Sequence, residues 1–294
     1  MAFNLFDLTY RVAREVGIVE EGTATGGSTT TILDTNNRTE VDDYWNSGTA
    51  WIIYDAGGAG AAPQGQYSVI SDFAYTGGVV TLRSTLTAAV VASDRYAVAR
   101  KRFPLNVIIQ KINQALTLIG PTVVTDITSI TTAANQTEYS LPNAVLDLRE
   151  VYIQGDDDDA NDNRWLKVYN WSVQVTATGT ADLLILPYQY ASGYDLKLVY
   201  VGPHAELAIY TDKLAESIPL ELVVCLAAKL CLEWWRSEHG GDKRYDGQIT
   251  MLEQMIEPQQ MRRPPLPAKT GRIMDAGPSG VYTYEDEPNR VYLR

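Results

Sequence analysis

The chain has 294 residues, 45% of them hydrophobic, with a formal net charge of −12 and a pI of about 4.6. That apolar content supplies real cores and excludes a disordered body, and the length allows one large domain or two or three small ones. An acidic chain argues against tight binding to duplex DNA, which rests on neutralising phosphates with Lys and Arg, and no apolar run reaches the ~20 residues that span a bilayer.

In residues 3–16 the side chains Phe3, Leu5, Phe6, Leu8, Val12 and Val16 recur at three- and four-residue intervals, which predicts a helix stopped by Gly17. This opening reads as an amphipathic helix, not as a signal peptide. Residues 22–101 then break into short β-branched and aromatic runs ("GTAWIIYDAGG", "GQYSVISDF", "GGVVTLRSTLT", "SDRYAVAR") separated by Gly, Asp and Ser, the texture of a small antiparallel sandwich or barrel. From Phe103 to Ile119 the period returns to helical, with Leu105, Ile108, Ile109, Ile112, Leu116 and Ile119 in one stripe, and Gly120-Pro121 ends it. A second antiparallel β module fills residues 122–203. Asp212 opens a helix with the stripe Leu214, Ile218, Leu222, Cys225 and Leu226, kinked or restarted at Pro219 and ended by Gly240-Gly241. A last helix begins at Lys243, carries Tyr245, Ile249, Leu252 and Ile256 on one side, and stops at Pro258.

The expected fold class is α+β: a small helical bundle (1–20, 103–121 and 212–257) with two inserted antiparallel β modules, sandwich or barrel-like (22–101 and 122–203), and an extended C-terminal arm (258–294).

Chemistry-bearing motifs are sparse. His204 and His239 stand in no metal-ligand spacing, so neither a metal site nor a cofactor is expected. The glycine groups "TGGST" and "DAGGAGAAPQG" lack the Gly-Lys-Ser/Thr ending of a phosphate loop and read as β loops. Asp156, Asp157, Asp158, Asp159 and Asp162 crowd one turn but lack the alternating ligands and central Gly of a calcium loop, which favours a solvated acidic turn. Cys225 and Cys231 are expected to be reduced, buried small hydrophobes. Trp45, Trp51, Trp165 and Trp171 read as core or subunit-contact residues, with stacking on sugars as the other use of such rings. No Gly-x-Ser-x-Gly elbow or Cys-His arrangement is present, and no enzyme is expected.

Residues 258–294 differ from the rest. Prolines 258, 264, 265, 267, 278 and 288 exclude helix through most of the segment, yet "GVYTY" and "RVYLR" look like strands in need of an edge. Six cations face four carboxylates here, a net +2, which leaves −14 for the remainder of the chain. Arg262, Arg263, Arg272, Arg290 and Arg294, with Tyr282, Tyr284 and Tyr292, are the expected partner-docking residues, through charge-assisted bonds, aromatic anchors and strand addition.

This layout, with β runs such as "TTTILDTNNRTEVDDYWNSGTAWIIYDAGG" and the arm above, resembles the head-to-tail adaptors of tailed-bacteriophage virions. The chain is larger and richer in β structure than many of them. The resemblance implies a structural virion protein in the neck between capsid and tail, assembled in the host cytoplasm. It implies a homo-oligomeric ring of twelve copies under the portal protein, contacting a tail or nozzle protein and continuing a channel for passing DNA, with no membrane partner. The alternative is a tail or baseplate protein whose β modules attach a fibre or bind host glycan through exposed Trp and Tyr.

Overall fold

A computed structural model describes residues 3–155, 164–176, 181–241, 243–261, 272–276 and 282–283. They form a mixed α+β fold of four α-helices and three sheets, divided between two compact units: Met1–Gly120 with Ala205–Arg263, and Pro121–His204 with Pro264–Arg294.

In the first unit, α1 (Leu5–Glu15) starts at a capping box: Asn4 Oδ1 accepts the Asp7 N–H at 3.0 Å and the Asp7 carboxylate accepts the Asn4 N–H at 3.1 Å. Gly17 turns the chain out of the helix with φ +72°. α2 (Leu105–Ile119) begins after Pro104 and ends at Gly120. α3 spans Leu220–Glu238, and a 3-10 turn, Lys243–Tyr245, leads into α4 (Asp246–Gln260). Each helix buries one stripe in a common core: Leu8 and Val12, Ile108 and Ile112, Leu222 and Cys225, Leu252 and Ile256.

Two helix boundaries differ from the sequence expectation. The third helix begins at Leu220, not Asp212, because Pro219 has no N–H to give and pushes Ile218 out of the α region. Leu214 and Ile218 still reach the core from non-helical backbone. Pro258 does not stop the last helix but lies inside it, two residues from its end, where its missing N–H leaves only the Gln254 carbonyl without its helical donor.

The first unit also holds β1 (Val19–Thr23), β2 (Gly26–Gly27), β3 (Thr31–Leu33), β4 (Thr49–Tyr54), β5 (Tyr67–Ala74), β6 (Val79–Leu82) and β7 (Arg95–Ala99). They make one antiparallel sheet in the order β1-β7-β4-β5-β6-β3-β2. The two edge strands are separated in sequence only by Ala24 and Thr25, so the sheet curls until both edges meet at one bent segment. Ala24 N–H to the Asp94 carbonyl (2.8 Å) and Thr25 N–H to the Leu33 carbonyl (2.7 Å) fix that corner. No ladder joins β1 to β2, so the sheet is not a closed barrel.

Alternation along its strands sends side chains to two cores. Ile32, Ile52, Ile70, Phe73, Val80, Tyr96 and Val98 pack with Trp45 inside the curl. Trp51, Ala97 and Ala99 instead join the core of the four helices. Trp51 is fully buried there, and its Nε1–H donates to Thr9 Oγ1 of α1 at 3.1 Å. The first β module and the helices therefore share a core.

A buried polar network pins the curl. Asp34 is fully buried and accepts from Tyr96 OH (2.7 Å), from the Asn36 and Asn37 amides and from the Asn37 side chain. The Arg38 Nε donates to the same Tyr96 hydroxyl at 2.8 Å, and its guanidinium reaches Glu20 and Glu40 at 3.3 and 3.5 Å. Gly22 is required beside it, since a Cβ there would lie 2.7 Å from Tyr96 OH and 2.9 Å from Asp34 Oδ2. Burial alone would raise the Asp34 pKa, but the hydrogen bonds from Tyr96, Asn37 and Asn36 outweigh it and hold the carboxyl below its ordinary range.

The second unit has a four-stranded antiparallel sheet and a five-stranded sheet. The first is built from β8 (Thr122–Asp126), β10 (Asp147–Gln154), β11 (Trp165–Val168) and β14 (Leu196–Gly202), in the order β11-β10-β14-β8. The other contains β9 (Glu138–Ser140), β12 (Ser172–Gln174), β13 (Leu183–Ile185), β15 (Arg272–Ala276) and β16 (Tyr282–Thr283), in the order β16-β15-β12-β13-β9. Leu148, Val151 and Leu198 from one sheet and Tyr139, Val173 and Leu184 from the other share a core with Trp171.

Two outcomes are expected. Trp51→Ala, which empties the seam between sheet and helices, lowers the stability of the first unit by ~3–5 kcal/mol in chemical denaturation. Trp51→Phe, which keeps most of the bulk and removes only the indole donor to Thr9, whose hydroxyl still donates to the Phe6 carbonyl at 3.0 Å, costs less. Tyr96→Phe removes a bond to Asp34 and one to Arg38 and costs ~1–3 kcal/mol near neutrality. Because the folded Asp34 pKa is depressed, its contribution is present above the ordinary carboxylate range, ~4, and is lost as pH falls through the folded value. The gap between Tyr96→Phe and the parent should therefore narrow in acid, as measured by urea midpoints across a pH series.

Candidate functional site

Beyond α4 the chain crosses residues 262–271, which lie outside the described residues, and returns as strand in the second unit. β15 lies parallel to β12 with Ser172 opposite Arg272, Val173 opposite Ile273 and Gln174 opposite Met274. β16 folds back antiparallel on β15, pairing Thr283 with Asp275 and Tyr282 with Ala276. The other side of β12 pairs with β13, so the tail covers what is otherwise an open sheet edge.

Of the eight expected docking residues, Arg272 opens β15 and Tyr282 opens β16, which places both on one hairpin. Arg262, Arg263, Tyr284, Arg290, Tyr292 and Arg294 lie outside the described residues, as do "RVYLR" and the acidic run 156–162. The "GVYTY" expectation coincides with β16 only at Tyr282 and Thr283. Sequence reasoning missed β15: "RIMDA" has two large apolar residues in five, and its signal is a short run bracketed by Gly271 and Gly277-Pro278.

The side chains considered for chemistry have structural surroundings. Cys225 and Cys231 are buried, and burial pushes their thiols up to about 11 and about 12, far from a reactive thiolate. His239 caps the end of α3, with its ring stacked 3.6 Å from that of Trp235 and its Nδ1 2.9 Å from the Trp235 carbonyl. Trp45, Trp51 and Trp171 are buried, so these rings are not presented to a sugar, whereas Trp165 on β11 is half-buried, with the Lys197 ammonium 5.8 Å from its ring centroid. Among the described residues no group of three or more His, Cys, Asp or Glu could hold a metal ion.

One polar cluster crosses the four-stranded sheet. Lys167 Nζ donates to Glu150 Oε1 at 2.7 Å and Tyr152 OH to Glu150 Oε2 at 2.8 Å, with Tyr152 directly across from Lys167. Burial would raise the Glu150 carboxyl, but the bonds from Lys167 and Tyr152 hold it low. The bond to Glu150 raises Lys167, and burial raises Tyr152. Each group is thus held more firmly in its ordinary charge state, the reverse of the tuning toward neutrality that general acid–base catalysis needs.

No family model matches the chain, and no curated protein matches it either. Among the described residues no helix is long and apolar enough to cross a membrane. The candidate site is the tail hairpin and the edge of β12 that it occupies.

Removing residues 264–294 uncovers the edge of β12. Amide exchange at residues 172–174, read by mass spectrometry, should quicken by about tenfold or more, while amides of the α2 and α3 core keep their protection.

Proposed function

We propose that this chain is a structural protein of a tailed-bacteriophage virion, a head-to-tail adaptor that forms a ring of twelve copies under the portal, joins capsid to tail and continues the DNA channel. In this reading the four helices act as a small bundle in each subunit. The two β modules, sandwich-like or barrel-like in their curvature, extend the ring wall toward neighbours and toward the tail or nozzle protein. The C-terminal segment is the docking arm.

The observation that supports the reading most directly is the arm's backbone. After α4 it leaves the first unit and adds strands to a sheet edge, the mode by which an extended peptide binds a protein surface through main-chain hydrogen bonds. Its charge supports the same role, because a segment of net +2 attached to a remainder of −14 is drawn to an acidic neighbour. The acidic remainder suits a channel wall past which DNA moves without being trapped. The glycan-binding alternative gains no support from Trp45, Trp51 or Trp171, which are buried.

The purified protein, mixed with the portal ring of the same virus, should give a ring-shaped complex in electron-microscope class averages and a matching mass in native mass spectrometry. Protein lacking residues 264–294 should keep its helical signal yet fail to join the portal. A full-length protein indifferent to the portal, or a truncated one that still assembles on it, overturns the proposal.

A further inference from the structure

The link between β7 and α2 reads Arg100-Lys101-Arg102, three consecutive exposed cations in a chain whose net charge is −12. Two of them are held by aromatic rings. The Arg100 guanidinium carbon lies 3.8 Å from the centroid of Tyr44, and that of Arg102 lies 5.4 Å from the centroid of Trp235. Arg102 Nη1 also donates to Tyr245 OH at 2.9 Å, which brings the neighbouring Lys243 and Arg244, both exposed, to the same surface. Arg100 and Arg102 line one shallow cleft with Gly17, Ile18 and Glu20.

The charges of Arg100, Lys101, Arg102 and Lys243 are poorly compensated. Glu20 is 4.0 Å from Arg100 but is shared with the buried Arg38 at 3.3 Å. Asp246 is bonded by Arg236 at 3.2 Å. Lys101, Arg102 and Lys243 have no carboxylate partner among the described residues. A guanidinium stacked on a ring keeps its in-plane N–H groups directed outward, so these arginines are ordered in advance as donors to an oxyanion. None of the exposed large hydrophobic side chains of the described residues lies in these segments, and the rings of Tyr44, Trp235 and Tyr245 that contact the arginines are half-buried. Polar, cationic and arginine-rich surfaces of this kind match a phosphate backbone.

We propose that Arg100, Lys101 and Arg102, with Lys243, form a contact site for the phosphodiester backbone of double-stranded DNA. The contact is independent of base sequence and easily reversed. At physiological salt the Debye length is ~8 Å, so this local patch is felt while more distant carboxylates are screened. The overall acidity of the chain keeps the contact weak, in keeping with the sequence expectation against tight duplex binding. The proposal goes beyond the adaptor reading and does not depend on ring formation.

The test is fluorescence anisotropy of a labelled 30-base-pair duplex against the full-length protein from about 20 to 200 mM salt. Each phosphate contact adds about −0.9 to the slope of log affinity against log salt. Arg100→Gln with Arg102→Gln should therefore flatten the slope by about 2 and weaken binding at low salt on the order of tenfold. Because Arg102 also bonds Tyr245, a second pair, Lys101→Gln with Lys243→Gln, removes two charges without touching a packing contact and should flatten the slope similarly. Arg83→Gln with Lys213→Gln, equal in charge but elsewhere, should leave it unchanged. Three results overturn the proposal: no duplex binding at 20 mM salt, a slope insensitive to both patch pairs, or poly-glutamate of equal charge displacing the duplex, which assigns the surface to an acidic protein.

Discussion

The architecture of the first unit depends on the burial of Trp51 between a sheet and a helix layer. Its ring fills the seam, its indole N–H is satisfied by Thr9, and Ala97 and Ala99 beside it are small enough for α1 to approach. An unpaired indole N–H at that depth has no water to turn to, so the Thr9 hydroxyl fixes the rotation of α1 as well as its position. Four helices that share one core then inherit that placement.

The same economy operates inside the curled sheet. Tyr96 is far in sequence from Asp34 and Arg38, which lie within one short run, yet the three form one set of donors and acceptors, with Trp45 and Tyr96 faces above the guanidinium at 5.1 and 5.3 Å. Networks of this type favour a single arrangement because any slip leaves a charge buried and unpaired. The register between β1 and β7, Val19 opposite Ala99 through Thr23 opposite Arg95, is thereby locked from its inner face.

Local signals in the sequence give the helices well and their partners poorly. The stripes of α1 and α2 and their terminal glycines are readable because period and cap are local properties. Asp212 misleads as a helix start because its carboxylate instead closes a turn, accepting the Ala208 and Ile209 amides at 2.7 and 2.9 Å. Pro258 misleads because a proline near a helix end loses little. Strand pairing is not local: nothing in "RIMDA" announces that it lies beside Ser172–Gln174, and nothing in "DTNNR" announces that its Asp and Arg meet Tyr96. The Arg100-Lys101-Arg102 run is plain in the sequence, but the aromatic rings that order it come from Tyr44, Trp235 and Tyr245, which only the fold brings near.

The pairing of β12 with β15 also sets an order in time. Ser172 meets Arg272, so the acceptor strand leaves the ribosome a hundred residues before its cover. At the usual elongation rate of 5–20 residues per second, that interval is about 5–20 s. During synthesis the second unit therefore passes through a stage in which its two-sheet core is complete while one row of backbone donors and acceptors waits unpaired. The segment that closes it is synthesised only after all four helices.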